Sequence, residues 1–417
     1  MSKFRTIAAI AACYFIFAIL LNSVGTVILQ SINSFAVSKS EASILEGFKD
    51  LSIALVSFLI AAVIPRIGYK IALLIGLVLV TCACLVVPSI ATFWAIKLLF
   101  ASIGVAFALV KVSVYAIVGQ LSDGTKSHSS LLNTIEGIFM LGVLSGYWLF
   151  SFYIDPNSPS SMGWLNVYYL LAAVLLVVIL LVISAPINAP VLRDKETTVI
   201  RDFVEMLKLT YQPLVIIFVV SVFLYVLIEQ GIGTWLPTFN NEILALPVDV
   251  SVQITSVFAA AIAIGRLISG QLLRFIDWYR FLIFCLLAMA SVMLLTLPLA
   301  EPSAQPVTSI LGAPIAAFLL PLVGAFMAPI YPVLNSVMLS ALDTSRHAAM
   351  TGLIVVFSAL GGTTGSILTG FIFDRIGGQN AFYLSLVPMA LLLVCLWLFR
   401  LSTARMRSSV QHRREAV

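Results

Sequence analysis

The sequence predicts an all-α membrane protein with about twelve transmembrane helices. Of its 417 residues, 61% are hydrophobic and 10% are charged, whereas soluble domains carry about 25% charged residues. Uncharged segments such as 72–90 and 281–299 have the ~20 residues that a helix needs to cross the hydrocarbon core of a bilayer. This composition excludes a soluble enzyme.

Cutting the chain at polar and Gly/Pro-rich breaks gives the individual spans. The first apolar segment follows Lys3 and Arg5 and is too long for the core of a signal peptide, so we interpret it as a retained span. The predicted spans lie near residues 7–32, 44–66, 70–90, 93–120, 130–154, 164–187, 212–239, 250–273, 280–299, 308–338, 347–374 and 379–400.

The placement of basic residues predicts the orientation in the membrane. With the N-terminus inside, nearly all Lys and Arg residues in loops and termini fall on the inner side, and Lys39 and Arg375 fall outside. Such asymmetry is typical of inner loops. We therefore expect a multi-pass protein of the bacterial inner (plasma) membrane with both termini in the cytoplasm.

A polar stretch and an internal repeat divide the spans into six and six. We predict an N-terminal six-helix bundle at 1–187, a cytoplasmic linker at 188–209, a C-terminal six-helix bundle at 210–400 and a basic cytoplasmic tail at 401–417. The repeat consists of four residues that recur 220 positions later, namely Gly104, Asp123, Lys126 and Gly142 as Gly324, Asp343, Arg346 and Gly362.

Four local patterns resemble the major facilitator superfamily, and in particular its fucose–galactose–glucose:proton symporter family. They are the basic turn Pro65–Lys70, the acidic Gly-rich stretch Glu229–Trp235, Ala328–Pro332 and Gly370–Gly377. The resemblance implies two pseudo-symmetric six-helix bundles, the major facilitator fold, that alternate in access around a central site.

The charge pattern departs from that of the sugar symporters at three places. Span 1 reads Leu21-Asn22-Ser23 where the family often has Asn-Asp, and span 4 carries Lys111 where the family has an acid. Span 5 has Glu136 where the family has Gln. These changes predict a small polar or charged solute and leave a neutral sugar unsupported.

Ionisable residues inside spans are costly, so by default they mark function. At ~1.5 Å per residue, Lys111 and Glu136 lie at similar depths on spans 4 and 5. They form either a buried pair that holds the two helices in register or a site for solute and proton. Glu229 precedes a Gly231-x-Gly233 break and is a solute ligand or protonation site, or a hydrated residue near the outer mouth. Glu136 and Glu229 are our candidates for proton coupling.

Five charged residues are candidates for gating. Glu46, Lys49 and Asp50 open span 2 and share a helical face, which predicts either an outer gate or a solvated helix end. Arg66 and Arg266 lie near inner ends of spans 2 and 8 and belong to a cytoplasmic gate.

The solute-binding candidates come from the spans that the resemblance places around the central cavity. Amides and aromatic rings with a polar tip suit a site for a small polar solute. The candidates are Asn22, Gln30, Lys111, Tyr115, Tyr225, Glu229, Gln230, Trp235, Tyr331 and Asn335.

These features predict a secondary active transporter, with proton-coupled symport as the leading hypothesis. The alternatives are an exporter of drugs or metabolites with a larger apolar cavity and, less favoured, a lipid transporter or scramblase. No zinc-protease, nucleotide-binding or serine-hydrolase motif is found, so we do not expect an enzyme. We expect a monomer whose partners are a small-molecule substrate, a proton or other coupling ion, and membrane lipid, with no cofactor, metal or nucleic acid.

Overall fold

The computed structural model describes residues 2–61, 64–122, 125–187, 206, 208–303, 306–343 and 346–415, which are nearly all helical and include no strand. The helices of the first half are α1 (Ser2–Asn22), α2 (Val24–Phe35), α3 (Lys39–Ala42), α4 (Ile44–Ala61), α5 (Ile64–Ile67), α6 (Tyr69–Ile90), α7 (Phe93–Leu121), α8 (Thr125–Phe152) and α9 (Val167–Ser184).

The second half repeats this arrangement with more interruptions. Its helices are α10 (Pro213–Gly233), α11 (Leu236–Glu242), α12 (Val248–Leu272), α13 (Trp278–Thr296), α14 (Ala316–Leu319), α15 (Val323–Met327), α16 (Ile330–Ala341), α17 (His347–Ile376), α18 (Gly378–Leu384) and α19 (Leu386–Glu415).

Twelve transmembrane helices are confirmed. Among the described residues, eleven helical segments are long and apolar enough to cross a membrane. The twelfth is α4, whose 18 residues include three charged ones, Glu46, Lys49 and Asp50. On average this helix is as apolar as α8 and α12, so its three charged residues, and not its hydropathy, set it apart from the other eleven.

At least four of the predicted spans are broken into shorter helices, among them the twelfth, at Ser385, between α18 and α19. The first is interrupted at Ser23 and the seventh after Gly233, at the turn formed by Thr234 and Trp235. The tenth is divided into α14, α15, α16 and a 3-10 turn around Pro321 and Pro329. Proline lacks the N–H that would continue the helical hydrogen bonds.

Close glycine contacts repeat in the two halves. A Cβ at Gly104 of α7 would overlap the Lys49 carbonyl of α4, and one at Gly324 of α15 would lie 2.9 Å from the Phe258 carbonyl oxygen of α12. Spans 4 and 10 thus approach spans 2 and 8 in the same way, which agrees with two pseudo-symmetric bundles.

The repeat shifts by one residue in spans 5 and 11. A Cβ at Gly142 of α8 would meet the Phe15 carbonyl of α1, and the equivalent contact, with the Phe223 carbonyl of α10, belongs to Gly361. The predicted counterpart, Gly362, faces the other half instead. The offset of 220 therefore does not hold for this pair.

Hydrogen bonds and an ion pair join the two halves at what we call the closed end, formed by α2, α3, α11 and the last turns of α17. Lys39 Nζ lies 3.1 Å from Glu242 Oε2, and Ser40 Oγ donates to Asp374 Oδ2 at 3.0 Å. The opposite end, where α7 and α16 finish, is the open end. There, mid-helix charged side chains such as Lys111 and Arg266 are exposed.

Two predicted segments fall largely outside this description. Of the predicted linker at 188–209, the structure describes residues 206, 208 and 209. The backbone of α19 continues past the predicted bundle end at Arg400 as far as Glu415, while the side chains from residue 404 onward are not described.

The halves come closest where α2 meets the end of α10. A Cβ at Gly25 would lie 2.5 Å from the Thr234 carbonyl oxygen, a distance that real Cβ atoms do not show. We predict that Gly25→Leu prevents closure of this end. Overpacking costs about 1–3 kcal/mol, so the ratio of open to closed molecules should rise roughly five- to hundredfold.

The measurement is the labelling rate of a cysteine at Thr238, which is buried on α11, by a membrane-impermeant maleimide in a protein without its native cysteines. The matched control is Gly119→Leu, because a Cβ at Gly119 meets nothing within 4 Å. Equal labelling in the two variants would show that Gly25 does not determine closure.

Candidate functional site

A cavity lies between the two halves, just inside the closed end. The space within it that water-sized molecules can occupy is about 90 Å³, enough for several waters. Helices of both halves supply its wall, which consists of Leu21, Asn22, Val24, Gly25, Lys49, Tyr147, Glu229, Gln230, Gly233, Thr234, Phe258 and Ile262.

A buried charge cluster on α4 borders this cavity. Lys49 Nζ donates to Glu46 Oε1 at 2.5 Å and lies 3.5 Å from Asp50 Oδ1. The exposed fractions of Glu46, Lys49 and Asp50 are 0%, 5% and 9%. The alternative of a solvated helix end is therefore wrong. One ammonium between two carboxylates leaves this cluster one negative charge when all three groups are ionised.

The second half completes the cluster. Thr234 Oγ1 lies 3.2 Å from Glu46 Oε2 and 3.1 Å from Gln230 Oε1, so that its single proton is shared between two acceptors. Asp50 faces Gly362 of α17, where a Cβ would collide with its carboxylate. We call Glu46, Lys49, Asp50, Thr234 and Gly362 the latch, since they connect the two halves.

A second group of polar residues lies in the first half, toward the open end. Tyr115 Oη donates to Glu136 Oε1 at 2.9 Å. Lys111 Nζ lies 5.8 Å from the centroid of the Phe107 ring and 6.0 Å from that of Tyr115. Tyr115 is therefore the hydrogen-bond partner of Glu136, where the sequence allowed an ion pair with Lys111.

Lys111 and Glu136 do not form the ion pair that the sequence allowed. Among the described residues, no carboxylate oxygen lies within 4.0 Å of Lys111 Nζ. Glu136 still acts electrostatically on this ammonium. The interpretation that the two residues serve to hold spans 4 and 5 in register has no direct contact to support it.

The matching group in the second half centres on Glu229. Tyr225 Oη donates to Glu229 Oε1 at 3.1 Å, and the rings of Tyr225 and Tyr331 lie 5.7 Å apart. Arg266 of α12 acts electrostatically on Glu229. Glu229 lines the cavity, so it lies in the cavity wall and not in a hydrated outer mouth.

Of the uncharged candidates, Asn22 and Gln230 line the cavity. The Asn22 amide donates to the Ala18 carbonyl of its own helix at 2.9 Å. Asn335 lies one turn beyond Tyr331, and its buried Oδ1 has no hydrogen-bond partner in the described part of the chain.

Seven of the ten solute-binding candidates are not among the described residues that line this cavity, namely Gln30, Lys111, Tyr115, Tyr225, Trp235, Tyr331 and Asn335. Two of them, Trp235 and Gln30, are buried elsewhere. Trp235 is fully buried, and its indole donates to the Ser366 carbonyl at 3.0 Å, so it packs α10 and α11 against α17. Gln30 is 1% exposed on α2, within the closed end. The side chain of Arg66, on α5, lies outside the described residues.

Sequence reasoning missed several residues of the wall. Thr234 lies within the Glu229–Trp235 stretch but was not chosen as a candidate, and Tyr147 lies eleven residues after Glu136, on the same helical face. Adjacency to Glu229 and Gln230 could have identified Thr234, and helical spacing from Glu136 could have identified Tyr147. Phe258 and Ile262 carried none, since they are apolar residues in an apolar helix.

Comparisons with solved structures show the fold. A nucleoside transporter, NupG, in a variant form has a TM-score of 0.75 with 14% identity over 96% of this chain and 100% of its own. The transporter FucP in the outward conformation has a TM-score of 0.63 with 16% identity over 96% and 99%. A D-xylose-proton symporter has a TM-score of 0.68 with 15% identity over 95% and 96%.

Comparisons of sequence show the family. No curated protein matches the chain, but the profile of the Major Facilitator Superfamily matches residues 10–322 and 280–416. These matches span nearly the whole length of both bundles. The chain belongs to the major facilitator superfamily.

Proposed function

We propose that this protein is a secondary active transporter that moves a small polar or charged solute by alternating access, coupled to proton symport. The observation that carries the proposal is a cavity with ionisable walls between two halves that are latched together at one end. In a bacterial inner membrane with both termini cytoplasmic, the open end faces the cytoplasm and the closed end faces outward.

Buried polar groups without hydrogen-bond partners support the proposal that the closed end can open. Thr26 Oγ1, both amide atoms of Gln30 and Thr238 Oγ1 are buried on α2 and α11 without a hydrogen-bond partner among the described residues. Each such group costs about 1–3 kcal/mol. Water would satisfy them in a state that is open at this end, so we infer that these helices line a pathway that is shut here.

Two membrane-embedded acids support proton coupling, Glu229 in the cavity wall and Glu136 toward the open end. Glu136 and Glu229 each accept a hydrogen bond from a tyrosine, Tyr115 and Tyr225. An ionised carboxylate is an acceptor only, whereas its protonated form also donates. Protonation therefore changes what each acid offers to a solute or to its tyrosine. Two structural neighbours are named proton symporters, for fucose and for D-xylose.

A ligand screen followed by a flux assay tests this function. We expect one class among sugars, amino acids, organic acids and nucleosides to raise the melting temperature of the purified protein, since ligands that bind the native state stabilise it. The stabilising solute should accumulate in proteoliposomes under an inward proton gradient. Accumulation that survives a protonophore would argue against proton symport.

The coupling acids can be tested by neutral replacement. We predict that Glu136→Gln or Glu229→Gln abolishes uphill accumulation but spares exchange of solute across the membrane, because the amide cannot carry a proton. Glu301→Gln, at an exposed loop position, is the control and should accumulate solute normally. If both variants still drive uphill uptake, another group carries the proton.

The latch can be tested without knowing the solute. Thr234→Val keeps the shape but removes the hydroxyl that bridges to Glu46. Hydrogen bonds to charged groups contribute about 1.5–3 kcal/mol, so labelling of a cysteine at Thr26 from the outside should increase roughly ten- to hundredfold.

The control for this variant is Thr351→Val, since the Thr351 hydroxyl donates within its own helix, to the His347 carbonyl, near the open end. Equal labelling rates in Thr234→Val and Thr351→Val would show that Thr234 does not hold the closed end shut.

A further inference from the structure

We propose that the transported solute is a small organic anion, and that Lys111 of the first half and Arg266 of the second half bind its negatively charged group or groups. This inference rests on the proposed transport function and adds the charge class of the substrate. The geometry that points to it is a pair of cations, one on each half, that have no carboxylate oxygen within 4.0 Å in the described part of the chain.

Lys111 is a membrane-embedded cation that forms no ion pair with any described residue. It lies ten residues before Leu121, the end of α7, which is ~15 Å from the open end at ~1.5 Å per residue. Its side chain is exposed, and the nearby carboxylate of Glu136 already accepts from Tyr115. A charge at this depth is stable where it faces water or a ligand.

Arg266 occupies a similar position in the second half. It lies six residues before Leu272, ~9 Å from the open end of α12. Phe258 and Ile262, at four-residue intervals before it, line the cavity, so Arg266 continues the same helical face. The Cα–Cβ bonds of a helix tilt toward its N-terminus, which for α12 is the cavity side, and the Arg266 guanidinium reaches across to Met140 of α8.

The guanidinium of Arg266 has donors to spare. Its contact with the first half is to Met140 Sδ, at 3.9 Å, and no carboxylate oxygen of the described residues lies within 4.0 Å. Glu229, which acts on it electrostatically, already accepts from Tyr225. A guanidinium presents five N–H donors in a fork that matches carboxylate and phosphate.

Three other lysines of the described helices have acid partners, and Lys70 instead donates to the backbone carbonyls of Ile183 and Ala185. Lys49 pairs with both acids of the latch, Lys39 with Glu242 at 3.1 Å and Lys97 with Glu41 at 3.5 Å. Lys111 and Arg266 differ from these three. Glu136 and Glu229 act on them only from a distance, and an anionic solute would supply the direct contact that no described carboxylate makes.

Aromatic rings beside the two cations suit the organic part of such a solute. Tyr14 and Tyr115 lie 6.4 Å apart in the first half, and Tyr225 and Tyr331 lie 5.7 Å apart in the second. Tyr331 stands 220 positions after Lys111, where the repeat places its counterpart. The two halves therefore offer different chemistry, a cation and a phenol, at related positions of spans 4 and 10.

Binding of an anion would also explain why solute and proton are transported together. The solute would add negative charge beside Glu136 and Glu229, which repel it when ionised. Protonation of either acid removes that repulsion. Proton and anion then favour each other in the same cavity, as symport requires.

The test is binding to the purified full-length protein, measured as thermal stabilisation and then by titration calorimetry. The probes are matched pairs of an anion and its neutral analogue: lactate and lactamide, succinate and succinamide, benzoate and benzamide, glycerol 3-phosphate and glycerol. We expect at least one anion to bind while its neutral analogue does not. Binding of neutral analogues alone, or of no anion, would overturn the proposal.

Variants then locate the site. Lys111→Gln and Arg266→Gln should each weaken binding of the anion at least tenfold, while Lys111→Arg should retain most of it. Arg274→Gln, an exposed cation beyond the end of α12, is the matched control. Full affinity in both glutamine variants would also overturn the proposal. Each variant must keep the monodispersity and the closed-end labelling of the parent protein.

Failure of this proposal is distinguishable from failure of the proposed function. Binding in detergent reports charge selection without any transport. A protein that binds an anion at Lys111 and Arg266 but never accumulates it would contradict the transport mechanism and leave the site intact. A protein that accumulates a neutral solute under a proton gradient would support the transport mechanism and contradict the anion site.

Discussion

An ammonium held between two carboxylates in a membrane-spanning helix is the interaction on which the arrangement of the two halves depends. Lys49, Glu46 and Asp50 are buried, and the cost of removing three charges from water is offset by their mutual contacts. Their remaining acceptor oxygens need partners as well. Thr234 provides one from the second half, and Gly362 lets the two helices approach at Asp50.

The fold was predictable to a large extent because the membrane imposes simple rules. Apolar length, basic loops and an internal repeat were enough for twelve helices in two bundles. Helix α4 was predicted as a span although it carries three charged residues, because its average hydropathy matches that of other spans. What the sequence could not supply was the rotation of one helix against another. The offset of 220 makes Gly362 the predicted equivalent of Gly142, but in the structure the equivalent close contact is made by Gly361.

The candidate site was predictable in its charged members and less so in their pairing. Lys111, Glu136 and Glu229 stood out because charged residues are rare in spans. Their partners, Tyr115 and Tyr225, lie within hydrogen-bond reach through side-chain direction, which periodicity does not report. Trp235 shows the converse error, since an amphipathic ring suited to a solute is used here for packing against Ser366 and Gly370.

The two bundles share their backbone contacts and differ in their chemistry. Close glycine approaches recur in both halves. The charged side chains do not: Lys111 of the first half has Tyr331 as its counterpart in the second, and the second half places its cation, Arg266, on a different helix. A site formed between such halves is asymmetric although its scaffold is not. A solute with a charged end and an organic body can therefore be held in one orientation.

The unpartnered polar atoms of α2 and α11 bear on the balance between conformations. Thr26, Gln30 and Thr238 make closure of their end less favourable than an apolar interface of the same shape would. A carrier whose two states are nearly equal in free energy needs little binding energy to pass from one to the other. In the proposed transport cycle, these unpartnered groups would keep the closed state from becoming much more stable than the open one, and solute would turn over at little cost in binding energy.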